Sequence, residues 1–539
     1  MTFTAGIAWT LAAVLLVVGV TGLARRVGWS APLVLVAVGV GAAFLPWVPE
    51  VRLEPEVVLT GVLPALLFAA ALQTPFTEVR SRGDSILTLS VGLVVFSAFA
   101  VGVVAWALVP GLSLAAGVAF GAILAPTDAV SVNAIAGSGR LPRRLATLLE
   151  GEGLLNDATA LVTLNSALVA ITDPIGPLQV LANFALAVAG GLVIGAVAAA
   201  LLVRLRRRLK APVLDTSLSL AAPYVAYLPA SAIHGSGFLA VALAGIWLGN
   251  RAPSFQSAES RIAERINWRT VSFLLENGVF LLIGLQLPAI VRAAARTRIG
   301  LLQGALLIAA LYLAMVLARY LWVYGATLLY RFGPERFRER RWDWRTAFAI
   351  SFTGVRGVVT LAAVFLLPAD EIPAAGFLQL AAFCIVVVSL LQGLGLAPLV
   401  RRLRLPLPNP EQDRVQIRTL VAEAQSAAIE RLETEITEDD PQELVASLRQ
   451  TAEYRRVIGS DEAAMSAQPD AYARLRLLML QSERSAVLDA RREGRYEESV
   501  IEAVLGDFDS IESALKRSVR RDFPKATAPP LQLTRLRRR

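Results

Sequence analysis

Between residues 4 and 400 the chain alternates long apolar runs with short clusters of arginine, and the runs show neither the period-2 pattern of strands nor a polar helical face. Each run approaches the roughly 20 residues that an α-helix needs to cross a hydrocarbon layer ~30 Å thick. The pattern predicts spans over 4–24, 28–46, 56–75, 84–109, 112–136, 146–172, 176–203, 213–233, 235–250, 271–291, 299–329, 346–367 and 373–400. That is about thirteen helices.

The arginines fall in alternate connections. Arg25 and Arg26, Arg80 and Arg82, Arg140 to Arg144, Arg204 to Lys210, Arg251 to Arg269, Arg331 to Arg345 and Arg401 to Arg404 mark one side. The intervening connections are short or acidic, as at Glu50, Glu54 and Glu56 or at Asp370 and Glu371, with Arg292, Arg296 and Arg298 discordant. Lys and Arg stay on the cytoplasmic side, so the N-terminus is expected outside, the C-terminus in the cytoplasm, and the number of spans odd. The run from Ala5 to Leu23 has no basic residue before it and Arg25–Arg26 after it, which predicts a retained span instead of a cleaved signal.

After Leu405-Pro-Leu-Pro-Asn-Pro410 the apolar runs stop. The expected organisation is a membrane domain over 1–404, a Pro-rich linker over 405–412, a charged helical cytoplasmic domain over 413–520 and a basic tail over 521–539. The cytoplasmic domain can either regulate the membrane part or serve folding and assembly.

Composition supports a polytopic membrane protein: 55% hydrophobic, 18% charged, mean hydropathy +0.58. The net charge of +9 is spread between apolar runs and not gathered in a patch, so it reads as a topology signal and not as a nucleic-acid surface. One cysteine, Cys384, and one histidine, His234, exclude a disulfide framework and argue against a Cys/His metal site. There is no glycine-rich phosphate loop ending in Lys-Ser or Lys-Thr, which disfavours a nucleotide-driven pump.

Candidate chemistry lies where polar residues interrupt the apolar runs. Ala125-Pro-Thr-Asp128 and Glu150-Gly-Glu-Gly-Leu-Leu-Asn-Asp157 place carboxylates at membrane depth, a cost of several kcal/mol that marks functional sites. Pro126 removes a backbone donor and disfavours helix at Ala125, so the span over 112–136 is expected to break there. Asp128 then balances exposed helix-end amides and, with Thr127, offers oxygen to a cation. Thr353-Gly-Val-Arg-Gly357 predicts a second break, in an antiparallel span, as an inverted repeat with its site between two halves requires. On one helix Gly153 lies a turn below Asp157 and leaves room beneath its carboxylate, and Glu152 lies a turn below Asn156. Arg356 is the expected ion-pair partner of Glu152, because either charge alone in the membrane is very costly. Asn156 can also serve simply as an interhelical hydrogen bond. Arg319 is expected to pack on another helix or reach an interface, Glu276 to cap a helix boundary or line the ion path, and Asp215 to sit at a helix start.

The stretches Ala-Pro-Thr-Asp-Ala-Val, Glu-Gly-Glu-Gly-Leu-Leu-Asn-Asp, Gly-Val-Arg-Gly, His234-Gly-Ser-Gly-Phe-Leu-Ala-Val241 and Asn277-Gly-Val-Phe-Leu-Leu-Ile-Gly-Leu285 together resemble the sodium/proton exchangers of the monovalent cation:proton antiporter family, over residues 5–400. The resemblance implies an all-α polytopic membrane protein with inverted repeats and two broken crossing helices, followed by the C-terminal helical domain. It implies no enzyme and no cofactor, only transported Na⁺ or another monovalent cation and H⁺, in a homodimer of the cell membrane serving pH homeostasis. Asp157 would bind cation and proton alternately, with Asn156, Thr127 and Asp128 contributing, and Glu152 with Arg356 as the stabilising pair. Two positions depart from the family: Gly153, where many members carry Ser, and Ala69, where several carry Glu, so the cation could be K⁺ or of mixed kind. Exchange needs only one carboxylate, since burial favours its protonated form and a bound cation its ionised form. A cation channel is the neighbouring alternative. An intramembrane aspartyl protease lacks its Gly-x-Gly-Asp context at both aspartates.

Overall fold

The computed structural model describes residues 3–49, 54–74, 82–128, 141–172, 176–297, 299–332, 342–368, 370–372, 374–407 and 410–436, with scattered positions from 440 to 512. All regular elements among the described residues are helical. Hydrocarbon offers no partner to backbone amides, and helices satisfy them internally. In order they are α1 (Phe3–Val27), α2 (Ala31–Ala43), α3 (Val57–Gln73), α4 (Gly83–Leu108), α5 (Leu114–Leu124), α6 (Arg143–Thr172), α7 (Pro177–Arg206) and α8 (Pro212–Ala232). Then come α9 (Gly237–Phe255), α10 (Ala258–Leu285), α11 (Leu287–Ala295), α12 (Leu301–Phe332), α13 (Trp344–Phe352), α14 (Val358–Ala363), α15 (Ala375–Leu394), α16 (Leu396–Arg402) and α17 (Pro410–Glu435).

Seven helical stretches among the described residues are long and apolar enough to cross a bilayer, and α2, α3 and α5 are shorter apolar helices. Large side chains such as Leu178, Val213 and Leu301 point outward, as lipid permits and water would not. Helix starts follow local chemistry: the Ser113, Ser236 and Ser257 hydroxyls accept from the amides of Ala116, Leu239 and Ser260 at 3.1, 3.3 and 3.1 Å. The span expected over 271–291 begins earlier, because α10 continues N-terminally through the charged segment from Ala258.

α3 and α4 each contain a π-helical turn, at Val57–Val62 and Thr88–Gly92. In each an aromatic donor from another helix takes a carbonyl of the widened turn. The Tyr224 hydroxyl of α8 donates to Gly61 O, and Trp322 Nε1 of α12 donates to Thr88 O at 3.0 Å.

Where the first break is expected a helix ends, and the second break is present. α5 stops at Leu124, and Ala125–Asp128 run on as non-helical chain; α13 and α14 are separated by the non-helical Thr353–Gly357. The two breaks meet, Asp128 N donating to Val355 O at 2.9 Å. The second half of the span expected over 112–136 lies outside the described residues from 129 onward.

The chain divides into two units, Met1–Leu407 and Pro408–Arg539. In the second, α17 opens at Pro410, a residue suited to a first helical position, so helix begins inside the stretch read as linker. Most of the remaining cytoplasmic helix expected around Leu475 to Leu488, and all of 521–539, lie outside the described residues.

One end of α7 is tied to α8 and α10 by a buried polar network. Arg206, 2% exposed, donates to Asp215 Oδ1 at 2.7 Å and Oδ2 at 3.0 Å, and to Glu264 Oε1 at 2.9 Å. Gln256 Nε2 donates to Asp215 Oδ2 and to Glu264 Oε2, each at 3.0 Å. Ser219 donates its hydroxyl to Glu264 and accepts from Trp268 Nε1 at 3.0 Å. Asp215 is thus in the first turn of α8, as expected, and also a partner in an ion pair that sequence spacing did not show. Replacing Arg206 by Met leaves two buried carboxylates without their cation, and a loss of about 3–5 kcal/mol is expected by denaturant unfolding in detergent micelles. A loss below ~1 kcal/mol would mean that the network behaves like a solvated surface pair.

Candidate functional site

Where α6 passes the two breaks, a cavity of about 440 Å³ opens. Asp128 and Thr127 reach it from the first break, Glu150, Gly153 and Asp157 from α6, and Ser272 and Glu276 from α10. Gly357 and Thr360 line it beside the second break, and Gln73 and Thr74 at the end of α3. Four carboxyl groups therefore share one cavity, and its described lining contains no Lys or Arg. Such a wall draws cations and repels anions.

The oxygens behind the wall are held in a chain of buried bonds. Thr127 Oγ1 donates to Glu152 Oε1 at 2.7 Å. Asn156 Nδ2 donates to Thr127 O at 2.8 Å and to its Oγ1 at 3.1 Å. Asn156 is therefore not a lining residue; it fixes Thr127 from behind, while its buried Oδ1 finds no donor among the described residues.

The expected partner of Glu152 is replaced by another arginine. Arg319 of α12, 2% exposed, donates from Nη1 to Glu152 Oε1 at 2.6 Å and from Nη2 to Oε2 at 3.0 Å. The same guanidinium donates from Nε to Ile350 O at 3.0 Å, at the end of α13. Arg356 instead donates from Nη1 to Ala125 O at 2.7 Å and from Nε to Met315 Sδ at 3.2 Å, and its backbone amide donates to Ser389 Oγ at 2.9 Å. The physical reason is the freed carbonyl: Pro126 and the break leave Ala125 O in need of a donor, and Arg356 supplies it. Arg319 carried the same signal in the sequence, a charge within an apolar run, and reading it by the rule applied to Arg356 would have found it.

Close approach sets the glycine at the second break. A Cβ on Gly357 would lie 2.0 Å from Asp128 Oδ2 and 2.6 Å from Asp128 Cβ. Ala69 and Gly153, the two positions without an oxygen, line the cavity; Gln73, Ser272, Glu276 and Thr360 bring oxygens from other places.

Residues 12–402 match the family described as sodium/hydrogen exchanger, transmembrane. The chain belongs to the sodium/hydrogen exchanger family. An exchanger of Mycobacterium bovis, named an uncharacterized Na(+)/H(+) exchanger, is 31% identical over 522 residues, 94% of this chain and 95% of the relative. A sodium, potassium, lithium and rubidium/H(+) antiporter of Bacillus subtilis is 32% identical over 350 residues, 62% of this chain and 52% of the relative. The solved structure of a sodium proton antiporter from Methanocaldococcus jannaschii at pH 8 superposes with a TM-score of 0.61, covering 75% of this chain and 99% of the other at 19% identity, a likeness of fold. The exchanger is thus a multi-pass membrane transporter of the cation/proton antiport class and not an enzyme, and its family needs no cofactor, the transported ions being substrates.

A double-mutant cycle on stability, using Glu152→Gln and Arg319→Gln, is expected to give a coupling within the ~0.5–3 kcal/mol found for contacting residues. The cycle between Glu152 and Arg356 should give less, and equal couplings would contradict the pairing. Gly357→Ala should abolish most transport by displacing Asp128 while the protein still inserts, checked by flux in proteoliposomes against size-exclusion profiles.

Proposed function

We propose that this exchanger swaps a monovalent cation, Na⁺ in the first instance, for H⁺ by alternating access, with both ions competing for the carboxylate of Asp157. The observation that carries the reading is one cavity lined by Asp157, Asp128 and Thr127 with no cation in its described lining, while Arg319 and Arg356 behind it are already bonded. A carboxylate so placed has two ways to be neutral: a proton or a bound cation. Holding them in turn, each exposed to one side and then the other, couples the fluxes. A channel would pass cations without that coupling.

In this reading Asp128 and Thr127 contribute oxygens, Asn156 positions Thr127, and the crossed breaks form the moving centre, as in other transporters with discontinuous helices. The N-terminus lies outside and the C-terminus in the cytoplasm, by the arginine distribution. The transporter works as a homodimer in pH homeostasis, and the unit from Pro408 onward either regulates it or serves its folding and assembly. A second reading, mixed selectivity, is favoured by the oxygen-free Ala69 and Gly153 in the cavity wall and by the Bacillus subtilis relative named for sodium, potassium, lithium and rubidium.

Dye-reported proton flux in proteoliposomes, with Na⁺, Li⁺ and K⁺ added in turn, tests the assignment. Asp157→Asn is expected to abolish cation-dependent flux with folding intact. Substantial residual flux in that variant would sink the role of Asp157, and a response to K⁺ as strong as to Na⁺ would establish the mixed reading.

A further inference from the structure

The cavity that holds Asp128 and Asp157 also presents oxygens that the proposed exchange does not use. Thr360, on the first turn of α14, is 0% exposed, and its hydroxyl has no hydrogen-bond partner among the described residues although it lines the cavity. An unsatisfied buried hydroxyl costs about 1–3 kcal/mol unless something fills its place. Glu276 lines the same cavity from α10, which packs against α14, and no arginine or lysine of the described residues forms an ion pair with it. Ser272, one turn earlier on the same face of α10, adds a second hydroxyl.

Glu276 also faces a second cavity, of about 360 Å³, whose wall includes Arg25 of α1 and Arg265 and Arg269 of α10 itself. It therefore stands on a partition. On one side are the carboxylates Asp128, Asp157 and Glu150; on the other are the three guanidinium groups. A bare monovalent cation leaving water needs several oxygens to replace its hydration shell, and Glu276, Ser272 and Thr360 line the same cavity as Asp128, Asp157 and Thr127.

We infer that Glu276 and Thr360 are cation ligands of this cavity, a carboxylate and a hydroxyl that add to the oxygens of Asp157 and Asp128 and set which monovalent cation is accepted. The inference rests on the proposed exchange at Asp157. It supplies, from α10 and α14, the oxygens that α3 and α6 do not present at Ala69 and Gly153.

The test uses full-length protein in proteoliposomes, with Glu276→Gln and Thr360→Val beside the conservative Glu276→Asp and Thr360→Ser. Glu276→Gln and Thr360→Val should each raise the KM for Na⁺ several-fold and alter the order of preference among Na⁺, Li⁺ and K⁺. The conservative variants should restore most of the affinity. Calorimetric titration of the purified variants with Na⁺ separates lost binding from lost folding, which unfolding temperature reports independently. Unchanged KM and unchanged cation order in both Glu276→Gln and Thr360→Val would overturn the inference, as would an Asp or Ser variant no better than Gln or Val. Absence of any cation-coupled flux in the unmodified protein would instead overturn the exchange reading itself.

Discussion

Two buried guanidinium groups hold the non-helical chain after α5 and the interruption between α13 and α14 in place behind the cavity. Arg356 leaves the second break to satisfy Ala125 O at the first, while Arg319 joins Glu152 of α6 to Ile350 O where α13 ends. In hydrocarbon an interrupted helix exposes carbonyls and amides that no solvent will take. Here each interruption uses the other, through Asp128 N to Val355 O as well, so neither break is stable alone. Arg319 is tolerable as a buried charge because Glu152 pairs it bidentately, while the Arg356 side chain donates to Ala125 O and Met315 Sδ.

This bracing explains why the cavity wall itself is left acidic. With Arg319 and Arg356 committed behind the wall, the carboxyl groups of Asp128, Asp157 and Glu150 face the cavity without a guanidinium among its described lining residues. Thr127 sits at the hinge of both roles, its hydroxyl proton given to Glu152 and its carbonyl held by Asn156. Residues that line the cavity are thus braced by a second layer of side chains, and Thr127 belongs to both.

Much of this was legible in the sequence because membrane helices announce themselves by length, and their exceptions by charge. The breaks at Pro126 and at Gly354–Gly357, and the gathering of Asp128, Asp157 and Thr127, follow from where polar residues interrupt apolar runs. What could not be read was pairing across distant helices. Arg356 is the expected partner of Glu152, yet helical spacing, which relates residues three or four apart, says nothing about which arginine of a distant helix the fold brings near, and it brings Arg319. The role of Asn156 as a brace for Thr127, and the network that joins Arg206 to Asp215 and Glu264, escape for the same reason. Residues 129–140 and most of the chain beyond 436 lie outside the described structure, so the expectations that fall there rest on pattern alone.

The π-helical turn at the start of α3 amounts to one extra residue accommodated in the helix, held in place by the Tyr224 hydroxyl at Gly61. It absorbs a change in chain length before the helix reaches the cavity wall. Removing one residue within Val57–Val62 would return that stretch to ordinary helix and keep the angular register of Leu63, Ala69, Ala70 and Gln73 toward the cavity. Removing one residue inside the wall segment would rotate everything beyond it by about 100°. Loss of one residue is therefore tolerated before Leu63 and resisted after it.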